Sequence, residues 1–206
     1  MSTEKGKGRS TMHDDEAARP GRPRDPDVDR AIVDAAQDLL LERGYAGTTI
    51  AEVAARARCG KSAIYRRWSG KADLVVAAVL DSQVPALSPD TGSLRGDLIA
   101  AAMHFAGQDE RAARVLATML TALGDDEQLR ETASRDVGRP PVAAIRAVIE
   151  RWIERGVIAP TASVALLAGI IPTAAFGSVV LQRRYLSEQE VAELVDVVVV
   201  PALLAA

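Results

Sequence analysis

Residues 45–74 read YAGTTIAEVAARARCGKSAIYRRWSGKADL, and how this stretch divides into helices decides the fold. Thr49 followed three positions later by Glu52 is a capping-box signature, in which hydroxyl and carboxylate each take an orphan amide of the first turn. Ile50, Val53, Ala54 and Ala57 then recur on one stripe, so a short helix is predicted that stops at Arg58-Cys59-Gly60. A second is predicted from Lys61 to Trp68, broken by Ser69-Gly70, and another follows carrying Leu74, Val75, Ala78 and Val79 on its inner stripe.

Toward the N-terminus, Asp25-Pro26-Asp27 marks a helix start: an aspartate cap, a proline at the first helical position, and a second acid against the dipole. Val28, Ile32, Ala35 and Leu39 follow at helical spacing, and Gly44 offers the left-handed residue that ends such a helix. Residues 1–24 mix charge, Gly, Ser and Pro without apolar periodicity and read as a flexible tail. The tail is either a solvated leader or an arm whose Arg22 and Arg24 enter a DNA minor groove.

Toward the C-terminus, Pro85, Pro89 and Gly92 place a module boundary in residues 82–93. Beyond Leu94 no alternating strand pattern appears. Helices are expected near 94–107, 109–123, 126–137, 141–155, 161–183 and 188–204, with turns at Gly124-Asp125-Asp126 and Gly138-Arg-Pro-Pro141. The expected fold is all-α: a tail over 1–24, a three-helix helix-turn-helix domain with its linking helix over 25–83, and a larger helical domain over 84–206.

The bulk numbers agree with a helical core of small side chains. Of 206 residues 48% are hydrophobic and only 3% aromatic, so Ala, Val, Leu and Ile must fill the interior. The net charge of -3 conceals a segregation: residues 1–71 hold 14 Lys and Arg against 11 Asp and Glu, and residues 72–206 hold 11 against 17. Cys59 is the only cysteine, which removes any intrachain disulfide or cysteine metal cluster and suits a reducing cytoplasm; it reads as a small buried residue and not as a redox sensor. Val164 to Leu181 is apolar enough to imitate a membrane span. Its Pro172, Thr173 and Ser178, its small residues and its lack of an aromatic belt favour a helix seam in water.

Between Arg43 and Lys71 the bases are Arg43, Arg56, Arg58, Lys61, Arg66, Arg67 and Lys71, against the single acid Glu52. A basic run is ordinarily a solvated surface, so geometry must distinguish a DNA reader. At 100° per residue, Ile64 and Trp68 face inward together, Ser62 and Arg66 lie opposite, and Ala63 and Tyr65 flank them. Such a face suits a major groove: Ser62 and Ala63 permit close approach, Arg66 reaches a guanine edge, and Tyr65 reaches a phosphate or thymine methyl. Lys61 and Arg67 lie at the margin, where phosphates are the targets. Thr49 and Lys71, each at a helix start, are candidates for a phosphate clamp, with a plain cap as the alternative for Thr49.

Tyr45 to Ala57, Lys61 to Trp68, and Lys71-Ala-Asp-Leu together resemble the TetR family of bacterial repressors, over about residues 25–80. The resemblance implies a homodimer that binds paired half-sites of an inverted repeat in double-stranded DNA and is released by a small-molecule inducer. It also implies DNA contacts at Thr49, Lys61, Ser62, Ala63, Tyr65, Arg66 and Lys71. Two positions depart from the pattern: Arg58 stands where a turn glycine is common, and Gly60 where a capping serine is frequent.

Ser187 and Glu190 form another capping box leading into Val191, Leu194, Val195, Val198 and Val199, widened by Val197 and Val200. So much apolar surface, with the Ala/Gly-rich segment before it, reads as a dimerising pair of helices over 161–204, or as burial within one subunit. Met103, His104, Phe105, Met119, Trp152 and Phe176 are candidates to line an effector pocket, although side chains of these types are more often ordinary core and a lone His104 more often a hydrogen-bonded structural histidine. With no nucleophile elbow, no phosphate loop and only His13 and His104 as histidines, no enzyme, cofactor or metal site is expected. The competing reading is an all-helical protein-interaction module that never touches DNA.

Overall fold

A computed structural model of the chain describes residues 26–107, 109–161 and 163–205. Arg22, Arg24 and Asp25 lie outside the described residues. Among those described there is no strand, only an isolated parallel bridge between Ala106 and Leu186. The helices are α1 (Pro26–Gly47), α2 (Ile50–Arg56), α3 (Lys61–Tyr65), α4 (Lys71–Leu80), α5 (Leu94–Ala102), α6 (Glu110–Thr121), α7 (Glu127–Ala133), α8 (Arg139–Glu154), α9 (Val164–Gln182), α10 (Glu188–Leu194) and α11 (Val200–Leu204). The chain is all-α.

Three apolar clusters organise them. Ile32, Leu39, Val53, Ile64, Leu74 and Ala78 close the first around α1 to α4. In the second, Leu40, Tyr45, Val75 and Val79 of the same helices pack against Leu116, Met119, Leu129 and Tyr185. The N-terminal helices therefore share a core with α6 and α7 and do not swing on a bare linker. The third joins Leu98, Phe105, Ile145, Ile149, Ile171, Val191 and Val199 across α5 and α8 to α11. The apolar helix α9 places Leu167, Ala168, Ile171 and Ala175 in this interior and Val179 in the second cluster, while Leu166 and Leu181 stay exposed.

Four local outcomes differ from the pattern-based expectation. Gly44 does take a left-handed φ of 69°, but helical residues resume as far as Gly47. Helix α3 ends at Tyr65, three residues before Trp68. Cys59 is only half-buried. The turn expected at Gly138-Arg-Pro-Pro141 is absent, because α7 runs into α8 through a π turn, Ser134–Gly138.

A second π turn, Val195–Val199, joins α10 to α11. Each π turn ends two residues before a proline, Pro140 and Pro201. A proline in a regular helix lacks its amide bond and collides with the carbonyl four residues earlier. Those carbonyls, of Asp136 and Val197, lie inside the wider turns, so the helix passes the proline without breaking.

Candidate nucleic-acid interface and effector cavities

The Glu52 amide donates to Thr49 Oγ1 at 3.2 Å and caps α2, but the Glu52 carboxylate takes the Thr49 hydroxyl at 2.9 Å in place of the Thr49 amide, so only half of the expected capping box forms. Gly60 caps α3 with no side-chain bond. A five-residue helix has almost no stability of its own and is held by tertiary contacts. Here Ile64 is fully buried, an anchor of about 2 kcal/mol, and Trp68 packs beside it on the first cluster. Lys61, Ser62, Tyr65 and Arg66 consequently face outward, with Ala63 half-buried between them.

The cations of this region divide into two sets. Arg56 forms a bidentate pair with Glu42 at 2.7 and 2.6 Å, and Arg43 pairs with Glu52. Arg67, expected at the phosphate margin, is instead turned inward. It is only 9% exposed, ion-paired to Asp29 of α1, and donates to the Ala63 carbonyl at 2.9 Å. That arrangement ties the end of α3 to α1 and withdraws Arg67 from the outer face. Among the described residues, Arg58, Lys61 and Arg66 make no ion pair and no hydrogen bond through their side chains. Arg58 holds a left-handed φ of 51°, the conformation the missing turn glycine would have supplied.

Lys71 opens α4 with its ammonium 3.9 Å from the Tyr45 ring centroid. Burial pulls its pKa down, opposed by the Asp126 carboxylate. The Tyr45 hydroxyl donates to Asp126 Oδ2 at 2.7 Å, and the other Asp126 oxygen accepts the Leu129 amide at 2.8 Å, capping α7. Burial and this bond both raise the Tyr45 pKa. The Leu129 amide and the Tyr45 hydroxyl hold the Asp126 carboxyl below the usual range. Thr132 of α7 also reaches Asp73 of α4 at 3.5 Å. Sequence reading missed this contact of α7 with α1 and α4, since nothing local links positions 45 and 126.

The effector candidates do not converge on one cavity. Met119 and Phe176 line a space of about 170 Å³ together with Val137 and Gly138. His104 lines another of about 250 Å³ with Gln83, Val84, Val137 and Pro141. Burial lowers the His104 pKa, opposed by the Val84 carbonyl, to which Nδ1 donates. Phe105 stacks edge-on between His104 and Phe176, with centroids at 4.9 and 5.9 Å. Met103 packs against the third cluster. Trp152 is structural: its Nε1 donates at 2.8 Å to the fully buried Asp97. Burial raises the Asp97 carboxyl, but the Thr91 hydroxyl and amide, Trp152 and Arg151 outweigh it and bring the pKa down to about 2.

Comparison with known proteins places this arrangement. Residues 32–78 match the domain described as bacterial regulatory proteins, tetR family, and residues 88–198 the tetracyclin repressor-like C-terminal domain. An uncharacterized HTH-type transcriptional regulator of Mycobacterium tuberculosis is 30% identical over 166 residues, 80% of this chain and 82% of that protein. The uncharacterized HTH-type regulator YdeS of Bacillus subtilis is 34% identical over 138 residues, 66% and 70% of the two chains. The DNA-binding transcriptional repressor TetR of Mycobacteroides abscessus is 34% identical over 134 residues, 61% and 68% of the two. Among solved structures, NalD, the secondary repressor of the MexAB-OprM multidrug efflux pump in Pseudomonas aeruginosa, superposes with a TM-score of 0.64 at 20% identity, covering 87% of this chain and 98% of that one.

Proposed function

The chain belongs to the TetR family of DNA-binding transcriptional regulators, and we propose that it acts as a cytoplasmic homodimeric repressor, not an enzyme, that holds an inverted-repeat operator until a small molecule releases it. The observation that carries the reading is the outer face of α3, where Lys61, Ser62, Tyr65 and Arg66 stand exposed without partners among the described residues. Unpaired donors on a protruding helix match the hydrogen-bond acceptors of a major groove. Thr49 and Lys71, at the starts of α2 and α4, bracket that face as phosphate contacts. Arg67, committed to Asp29, drops out of the contact set, while Arg58 joins it as a marginal cation. The module over 25–83 reads the DNA and that over 84–206 dimerises and senses.

Dimerisation through 161–204 is supported by the apolar side chains left outside α9 to α11: Leu166, Leu181, Val197 and Leu204 are each more than half exposed. A groove of about 360 Å³ bordered by Ala174, Leu194, Val197 and Val198 continues that surface. A two-fold dimer would bury it and set two α3 helices at half-site spacing. Selection of bound sequences from random duplex DNA by the full-length protein tests the reading. It should return an inverted repeat with affinity falling steeply as salt rises; a pool without a repeated half-site would overturn it in favour of a protein-interaction module.

A further inference from the structure

We propose that the outward face of α8 is a self-association surface, on which two copies of the chain pair their α8 helices antiparallel, the arginine half of each meeting the glutamate half of the other. The inference goes beyond the regulator reading and does not depend on it. At about 100° per residue, Arg139, Ala143, Arg146, Ala147, Glu150 and Glu154 fall on one stripe of the helix. On the opposite side Ile145, Val148, Ile149 and Trp152 enter the third cluster, which they share with α5 and α9. The residues of the outward stripe are all exposed.

Charge sets this face apart. Residues 72–206 hold 11 arginines and no lysine, and seven of the 11 are ion-paired within the chain. Among the described residues, Arg139 and Arg146 make no ion pair or hydrogen bond through their side chains, and neither do Glu150 and Glu154. Glu150 and Glu154 stand one turn apart, where like charges destabilise a helix. Along one face the signs therefore run positive, positive, negative, negative, with every charge open. Such an order is its own complement when a second copy is turned end for end, which is what an isologous two-fold contact requires.

The register follows from the spacing. Helices crossing just past Ala147 set Arg146 opposite the second copy's Glu150 and Arg139 within one turn of its Glu154, and symmetry makes each contact twice. Ala147 at the crossing and Ala143 beside it are small enough for the helices to approach to about 8 Å. A groove of about 360 Å³ bordered by Arg139, Val142, Ala143 and Arg146 lies where the second copy's helix ends, and the exposed Val157 beyond that end supplies an apolar side chain to enter it. Exposed ion pairs are individually weak and are screened by salt. The contact is accordingly weak and salt-sensitive, unlike the apolar surface of α9 to α11, whose burial salt does not oppose.

Sedimentation velocity of the full-length protein over a concentration series tests the pairing. At about 0.05 M salt a heavier species should grow with concentration, and at about 0.5 M it should disappear. Two charge-reversed chains decide what holds it: Arg139→Glu with Arg146→Glu makes the face wholly acidic, and Glu150→Arg with Glu154→Arg makes it wholly basic. Each alone should associate about tenfold more weakly or less than that, and an equimolar mixture of the two should regain the heavier species. The chain carrying all the reversals restores the complementary order and should associate like the parent, which keeps the test open if one variant does not fold. A parent without a salt-sensitive heavier species, reversed variants that associate like the parent, or a mixture that stays apart would each overturn the proposal. Reversed variants that sediment as monomers, with the mixture reassociating, would uphold it and overturn dimerisation through 161–204 instead.

Discussion

On α3, Lys61, Ser62, Tyr65 and Arg66 point outward with no partner among the described residues, whereas in the C-terminal domain Asp97 is fully enclosed and met by Thr91, Arg151 and Trp152 at 2.6, 3.1 and 2.8 Å. The first arrangement leaves donors in water at little cost and keeps them available to an anionic partner. The second surrounds a desolvated charge with donors from the segment before α5 and from α8, and so fastens two elements together. Polar groups are thus left open at one end of the molecule and serve cohesion at the other. Arg66 and Arg67 show the same division between neighbours: one is open, the other is closed on Asp29.

The largest expected effect falls on the enclosed side. Asp97→Ala leaves Trp152 Nε1 and the Arg151 guanidinium without their buried acceptor, and should cost about 4 kcal/mol of stability in urea unfolding. Next is the open face: Tyr65→Ala with Arg66→Ala should weaken operator binding by about 3 kcal/mol, over a hundredfold, with no change in unfolding midpoint. Loss of stability in that double variant, or unchanged affinity, would break the contrast.

Acid separates the two regions again. The Asp97 carboxyl titrates at about 2 in the fold against an ordinary 3.8. Its contribution is therefore complete above the unfolded value and lost as pH falls through the folded one. Unfolding followed from pH 5 to pH 2 should show a loss of stability that Asp97→Asn removes. The smallest effect concerns Arg58: Arg58→Gly relieves the left-handed backbone and should raise stability by about 1 kcal/mol. A simultaneous fall in operator affinity would show that its cation takes part in phosphate contact.

Much of the helical order was legible in local patterns. Thr49 with Glu52, and Ser187 with Glu190, announced helix starts that form, with both capping bonds at Ser187 and only the bond to the hydroxyl oxygen at Thr49. The inward pair Ile64 and Trp68 followed from a 100° rotation and needed no tertiary knowledge. The two π turns also left a trace that pattern reading passed over. Leu129, Ala133, Val137, Pro141 and Ile145 are buried at steps of four, as are Val191, Val195, Val199 and Leu203. A regular helix drifts by about 40° at each such step, and one extra residue in the turn absorbs the drift.

Local patterns also explain where the reading of the site fell short. Counting charges grouped Arg43, Arg56, Arg58, Lys61, Arg66 and Arg67 into one basic face, because a charge's partner is invisible along the chain. Asp29 lies 38 positions from Arg67 and Glu42 lies 14 from Arg56, and only the packing of α1 against α2 and α3 brings them together. The pocket candidates Met103 and Trp152 were chosen by side-chain type, which does not distinguish a filled core from a cavity wall.

What the amino-acid sequence determined alone was most of the helices and which residues of α3 face outward, since caps, breakers and a 3.6-residue period act over a few neighbouring residues. Tertiary structure decided which of those cations remain open, how Tyr45 and Asp126 join the DNA-reading helices to α7, and where space is left around Val137. Pairing, coupling and voids depend on distances between segments far apart in the chain, and no local pattern encodes them.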